Sequence, residues 1–192
     1  MKVKDVIKIS AMLLANEQVV NYLNVIEEGA TDTTSVEQSV LADVDLFTRL
    51  TNLVISELAG SYIMMKKSQI VRAKSGKVYY KDLDEKALQI ISVTDVVGNK
   101  LTFKNNFEYA EIPTEKAIIT YAYMPANYDI FSDIGYSQKE VQPNLLATGL
   151  CAEYCVVKGR FDEAIMWHKR YVDAITERCL PKNKNVKERS WF

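Results

Sequence analysis

The spacing of apolar residues changes twice along the chain, from a helical period to alternation and back, and divides it into three sections. In the first, to about Gly60, Val3, Val6, Ile7, Leu13 and Leu14 form the apolar side of a short helix. Asn16 offers a cap for a second helix carrying Val19, Val20, Leu23 and Ile26, which Glu28-Gly29 ends. Thr31 to Ser35 is a polar turn, and Ser35 with Gln38 makes a capping-box pattern at the head of a long helix. Its apolar stripe, Val36, Val40, Val44, Phe47, Leu50, Val54 and Leu58, advances by three or four residues at each step and so keeps to one face. Glu37, Asp43, Asp45 and Glu57 fall on the opposite side.

From Ser68 to Met124 β-branched and aromatic residues dominate, and turn residues recur. Ser75-Gly76 separates Gln69–Arg72 from Val78–Tyr80, and Gly98-Asn99 separates Leu88–Val93 from Leu101–Phe103, so two hairpins are expected. A last strand, Ala117–Tyr123, alternates around Ile119, Tyr121 and Tyr123, and Pro125 stops it by removing a ladder donor. A linker from Ala126 to Ser137 leads to the third section. There Pro143 suits the first turn of a helix running to Lys158, Gly159 closes it in a left-handed conformation, and a second helix begins near Asp162 and runs to Cys179. Pro181 ends this αα-hairpin. The remaining stretch is rich in Lys and Asn and tipped by Trp191 and Phe192.

The pattern therefore predicts an α+β, mainly α fold: N-terminal helices with one long member, a small central antiparallel β region, and a C-terminal αα-hairpin. Length favours a single domain, residues 1–180 with a β insertion at about 68–124, followed by an extended tail over 181–192. With 24 Lys+Arg against 25 Asp+Glu and a formal net charge of -1, the global balance gives no sign of a nucleic-acid binder, so any charge argument is local. The apolar residues after Met1 are broken by Lys8, Ser10, Asn16 and Glu17, so neither a signal-peptide core nor a membrane span is expected. Three cysteines, Cys151, Cys155 and Cys179, lie late in the chain and read as reduced thiols in a cytoplasmic setting.

Little in the sequence points to catalysis. His168 is the only histidine, and it stands in a helix without an identifiable orienting partner. Cys151 and Cys155 share a helical face and could hold a metal with His168, but a fourth ligand is not evident, and with Ala147 they more simply let two helices approach. No Gly-rich phosphate loop, nucleophile elbow, zincin helix or paired Cys-x-x-Cys occurs. Asp82, Asp84 and Glu85 read as a solvated connection. The tyrosines and Trp167 read as core or interface anchors, without the interleaved cations of a nucleic-acid groove. No cofactor is expected. The run from Ala152-Glu153-Tyr154 through Gly159–Ala164 to Tyr171 and Ala174 resembles half a tetratricopeptide repeat, yet no second copy appears at the required period.

Taken in order, the layout resembles the head-to-tail connector or adaptor proteins of tailed bacteriophages, a group that includes the tail tubular protein A type. The most reminiscent stretch is Lys116 to Cys179: the strand Ile118–Pro125, the linker, Pro143–Leu150, then Gly159–Ala164 and Trp167. The resemblance implies a non-enzymatic virion protein of the neck between capsid and tail, assembled in the host cytoplasm. It implies a ring, twelvefold in expectation, docked beneath the portal protein. The ring would extend the DNA channel without specific DNA binding and present a platform to a downstream stopper or tail protein. It also implies that the C-terminal segment inserts into the portal, a task for which Lys182, Lys184, Lys187, Arg189, Trp191 and Phe192 are chemically suited. Glu37, Asp43 and Asp45 are the candidates to face the channel, where like charge would keep DNA sliding. Three other readings stay open: another neck or tail-completion protein, a peptide-binding module built on the helical hairpin, and an enzyme using Cys151, Cys155 and His168.

Overall fold

The computed structural model describes residues 1–27, 37–137 and 139–179, and within them the fold is α+β and mainly α. The helices are α1 (Val3–Leu13), α2 (Glu17–Glu27), α3 (Gln38–Ser61), α4 (Pro143–Val157) and α5 (Phe161–Cys179). Helix α4 lies at the centre, packed on α1, α3 and α5. It can do so because it is apolar nearly all round, with Leu145, Leu146, Leu150, Cys151, Tyr154 and Cys155 all buried. The hairpin α4–α5 is thus one wall of a single helical core rather than a repeat unit awaiting neighbours.

The stripe read for α3 is buried from Val40 to Leu58, widened by Ile55 and Ala59 because the helix packs on both α1 and α4. Asn16 caps α2 as expected, its Oδ1 accepting from the Val19 N–H at 3.3 Å, and Ala15 turns the corner before it at φ +55°. Leu13 departs from expectation. It is 45% exposed, because α1 closes its apolar side with Ser10 and Ala11 instead. Glu37 holds the N-cap position of α3 without a side-chain cap bond. The Ser35 cap, Val36 and the Glu28-Gly29 terminator lie outside the described residues.

The linker is built into the helical core. Val3 and Lys4 donate backbone bonds to Ser132 and Ile130, Tyr136 Oη donates to the Ile63 carbonyl at 2.6 Å, and Ile134 and Tyr136 are buried. Their polar groups are paired, so a segment without regular structure can be interior.

Strands β1 (Met65–Arg72), β2 (Lys77–Tyr79), β3 (Lys86–Thr94), β4 (Lys100–Leu101), β5 (Lys104–Asn105), β6 (Tyr109–Glu111) and β7 (Lys116–Met124) form two antiparallel sheets, ordered β1-β7-β3-β4 and β2-β6-β5. Ile119 and Tyr121 of β7 point inward with Ile90 and Val93 of β3 and meet Val78 and Ala110 of the smaller sheet. This β core is separate from the helical one, and Tyr123 packs against both.

One expected hairpin formed and one did not. The turn carrying Gly98 joins β3 to β4, held by the Asp95 carboxylate, which accepts from the Val97 and Asn99 N–H groups. Ser75 and Gly76 form a tight turn with φ of +53° and +74°, and Lys74 bridges Lys77. The flanking strands part company, however: β1 pairs along its whole length with β7, and β2 pairs with β6. The turn moves the chain from one sheet to the other.

Candidate functional site

An open cleft of about 390 Å³ lies at the α1–α2 corner of the helical lobe, lined by residues 14–18, Tyr154 and Arg160. Helix geometry brings its walls together: Asn16 caps α2, Asp43 stands on the second turn of α3, and Tyr154 and Lys158 are one turn apart at the end of α4. Asp43 accepts from Lys158 Nζ at 2.8 Å, Tyr154 Oη at 3.1 Å and Asn16 Nδ2 at 3.3 Å. The Tyr154 ring is fixed by stacking on Phe47, with centroids 4.3 Å apart. Arg160, on the cleft wall, is paired with Glu163.

Electrostatics here are those of a clamp. Burial would raise the Asp43 pKa, but the bonds from Lys158, Tyr154 and Asn16 outweigh it and hold the carboxylate below its ordinary range. Burial and the neighbouring Asp43 push the Tyr154 phenol up, so it stays a donor. The cluster ties the start of α2, the second turn of α3 and the end of α4 together.

The residues singled out from sequence are not brought together. Glu37 and Asp45 are exposed, Asp45 pairing with Arg49 one turn on. Asp43 is turned into the helical contact and is not a free carboxylate beside them. Cys151 and Cys155 are buried and form no disulfide, and the Cys151 thiol donates to the Ser10 carbonyl at 3.7 Å. His168 is exposed on α5, away from that buried stripe, and among the described residues no group of three or more His, Cys, Asp or Glu could hold a metal. The docking residues Lys182, Lys184, Lys187, Arg189, Trp191 and Phe192 lie outside the described residues. No described helix is long and apolar enough to cross a membrane. Individual cations do lie over aromatic faces: Lys77 is 4.4 Å from the Tyr109 centroid and Arg170 4.7 Å from that of Trp167. Lys77 reaches Tyr109 across the β2–β6 pairing, whereas Arg170 stands three residues on from Trp167 in α5.

Two apolar surfaces escaped the sequence reading. On α5, Phe161, Ile165 and Val172 are 63%, 70% and 41% exposed and recur at helical spacing, beside the buried stripe of Ala164, Trp167, Tyr171 and Ile175. A second stripe at the same period was the available signal. On the β lobe, Phe107 is 98% exposed at the tip of the turn that Asn106 closes by donating to the Tyr109 carbonyl. No known protein-family profile matches the chain, and no curated protein matches its sequence.

Proposed function

We propose that this chain is a structural subunit of a tailed-phage neck: a head-to-tail adaptor that forms a ring, joins the portal to the next neck or tail protein, and catalyses no reaction. One observation carries the reading. Two unlike exposed apolar surfaces sit on different lobes, the Phe161–Ile165–Val172 stripe on α5 and the Phe107 tip between β5 and β6. A closed ring is built from heterologous contacts, in which one surface of a subunit meets a different surface of the next. A subunit with two non-equivalent anchors on separately packed lobes meets that requirement, and each aromatic offers the area that concentrates binding energy. The order of helices, β region and αα-hairpin supports the same reading.

In this reading the exposed carboxylates Glu37 and Asp45 line the channel, Asp43 serves inside the subunit, and residues 181–192 reach the portal. Imaging the purified chain alone and with portal protein tests it. Rings in either sample, lost in an Ile165→Glu or Phe107→Ser variant that still folds, support the proposal. A chain that stays monomeric beside portal defeats it and favours the peptide-binding reading of the hairpin.

A further inference from the structure

The strand register sorts the four-stranded sheet into two faces. One is the core face described above. The other is built from the rows Lys66–Ala122–Gln89, Ser68–Thr120–Ser92 and Ile70–Ile118–Thr94–Lys100, with Arg72 opposite Lys116 at one end and Lys86 opposite Met124 at the other. Every charged residue in these rows is cationic: Lys66, Arg72, Lys86, Lys100 and Lys116, all exposed. None forms an ion pair among the described residues. Arg72 and Lys116 are direct cross-strand partners, an arrangement that costs stability between like charges. The acids at its margins are otherwise placed: Asp95 is engaged by Val97 and Asn99 in the β3–β4 turn, Glu115 precedes β7, and Asp84 and Glu85 hold Lys67 on the core side. The chain as a whole is balanced at -1, so this one-signed face is a local segregation of charge.

We propose that this face binds the phosphodiester backbone of a nucleic-acid duplex without reading its sequence. Between its cations lie Ser68, Thr120, Ser92, Thr94 and Gln89, the hydroxyl and amide donors that contact phosphates alongside Lys and Arg. Its paired apolar positions are Ala122, Ile118, Ile70 and, at the end, Met124, with Leu88 and Ile91 exposed at the bulges of β3, and no aromatic ring stands among the paired positions to stack on unpaired bases. At ordinary strand dimensions the face is about 20 Å long and about 14 Å wide. A duplex carries a charge about every 1.7 Å of axis, so that length presents roughly a dozen phosphates to five cations. The proposal goes beyond the adaptor reading and does not need it, since it applies to a monomer or a ring alike.

The test measures affinity of the full chain for a fluorescent 30-base-pair DNA duplex between about 50 and 200 mM salt, for wild type and for Arg72→Gln/Lys100→Gln/Lys116→Gln. Loss of three phosphate contacts makes the plot of log affinity against log salt shallower by about 2–3 units. The charge-retaining Lys116→Arg keeps the wild-type slope, and Lys169→Gln on α5 leaves it within about one unit. Far-ultraviolet circular dichroism and thermal midpoints establish that each variant is folded. The proposal is overturned if wild type does not bind at 50 mM salt, if the triple variant keeps the wild-type slope, or if polyglutamate competes as well as duplex. The last outcome would assign the face to an acidic protein.

Discussion

Gly149 of α4 lies so close to the ring of Tyr171 on α5 that a Cβ on the glycine would stand 2.9 Å from Tyr171 Cε2, and 2.9 Å from Val54 Cγ1 on α3. Neither neighbour can retreat easily. Tyr171 is buried and its hydroxyl donates to Glu57 at 3.3 Å, while Val54 lies inside the core. Gly149→Ala gains about 1 kcal/mol in helix propensity, but overpacking a core costs about 1–3 kcal/mol and forces α3 or α5 outward. A net loss of up to about 2 kcal/mol is expected in urea denaturation, and a smaller one in a Tyr171→Leu background where the approach to the ring is relieved. A Gly149→Ala protein as stable as wild type would show that the helices are not this close.

The Asp43 clamp makes stability depend on pH with a definite sign. Asp43→Asn removes the charge from bonds to Lys158 and Tyr154, an expected loss of about 1–2 kcal/mol at neutral pH after allowing for partial exposure. Because the folded pKa of Asp43 lies below its unfolded value, the stabilisation is complete above the unfolded carboxylate pKa near 3.9 and is lost as pH falls through the folded value. The gap between wild type and variant should thus be constant from about pH 7 to 5 and close below about pH 4. Denaturant titrations at stepped pH measure it. A gap that widens on acidification would mean that Asp43 is not held as the anion.

How much of this could be read from sequence follows the range of the interactions. The helices were legible because their signals are local: Asn16 caps at three residues' distance, Gly159 closes α4 at φ +72°, and Val40 to Leu58 repeat at one period. The Gly98 hairpin was legible for the same reason. The pairing of β1 with β7 was not, since Arg72 and Lys116 are joined by a long excursion through the smaller sheet and a tight turn at Ser75-Gly76 looks the same whether its strands pair or diverge. The basic face shares that cause. Its cations come from β1, β3, β4 and β7 and meet only in the register. The Asp43 clamp joins residues more than a hundred positions apart, and nothing in a helix period marks one carboxylate of an acidic side as the one turned inward.

The thiols should separate into two classes. Cys151 and Cys155 are buried, and burial pushes the Cys151 thiol up to about 12 and raises that of Cys155. Thiolate is the reactive form, so both are shielded by protonation as well as by packing. Cys179 is exposed at the end of α5. With an aromatic disulfide reagent at pH 8, one thiol per native chain should react within the mixing phase or shortly after, and the other two at the rate of unfolding. Addition of denaturant should release all three. Fast modification of Cys151 or Cys155 in the native protein would revive the enzymatic reading.

The C-terminal segment offers the sharpest test of the proposed portal contact. Removing residues from Lys182 onward takes away no residue of the described helical and β cores, so on the adaptor proposal the truncated chain should melt with the full chain while losing portal affinity. Lys182, Lys184, Lys187 and Arg189 would act through long-range attraction to an acidic surface and set the association rate, whereas Trp191 and Phe192 would act by burial and set the dissociation rate. Trp191→Ala/Phe192→Ala should accordingly speed dissociation, by about 30-fold for each anchor worth about 2 kcal/mol. Replacing the four cations by Gln should slow association and flatten its dependence on salt. Surface-binding kinetics against immobilised portal separate the two. Unchanged affinity after truncation would remove the segment from the contact and leave portal docking to the surfaces on α5 and the β lobe.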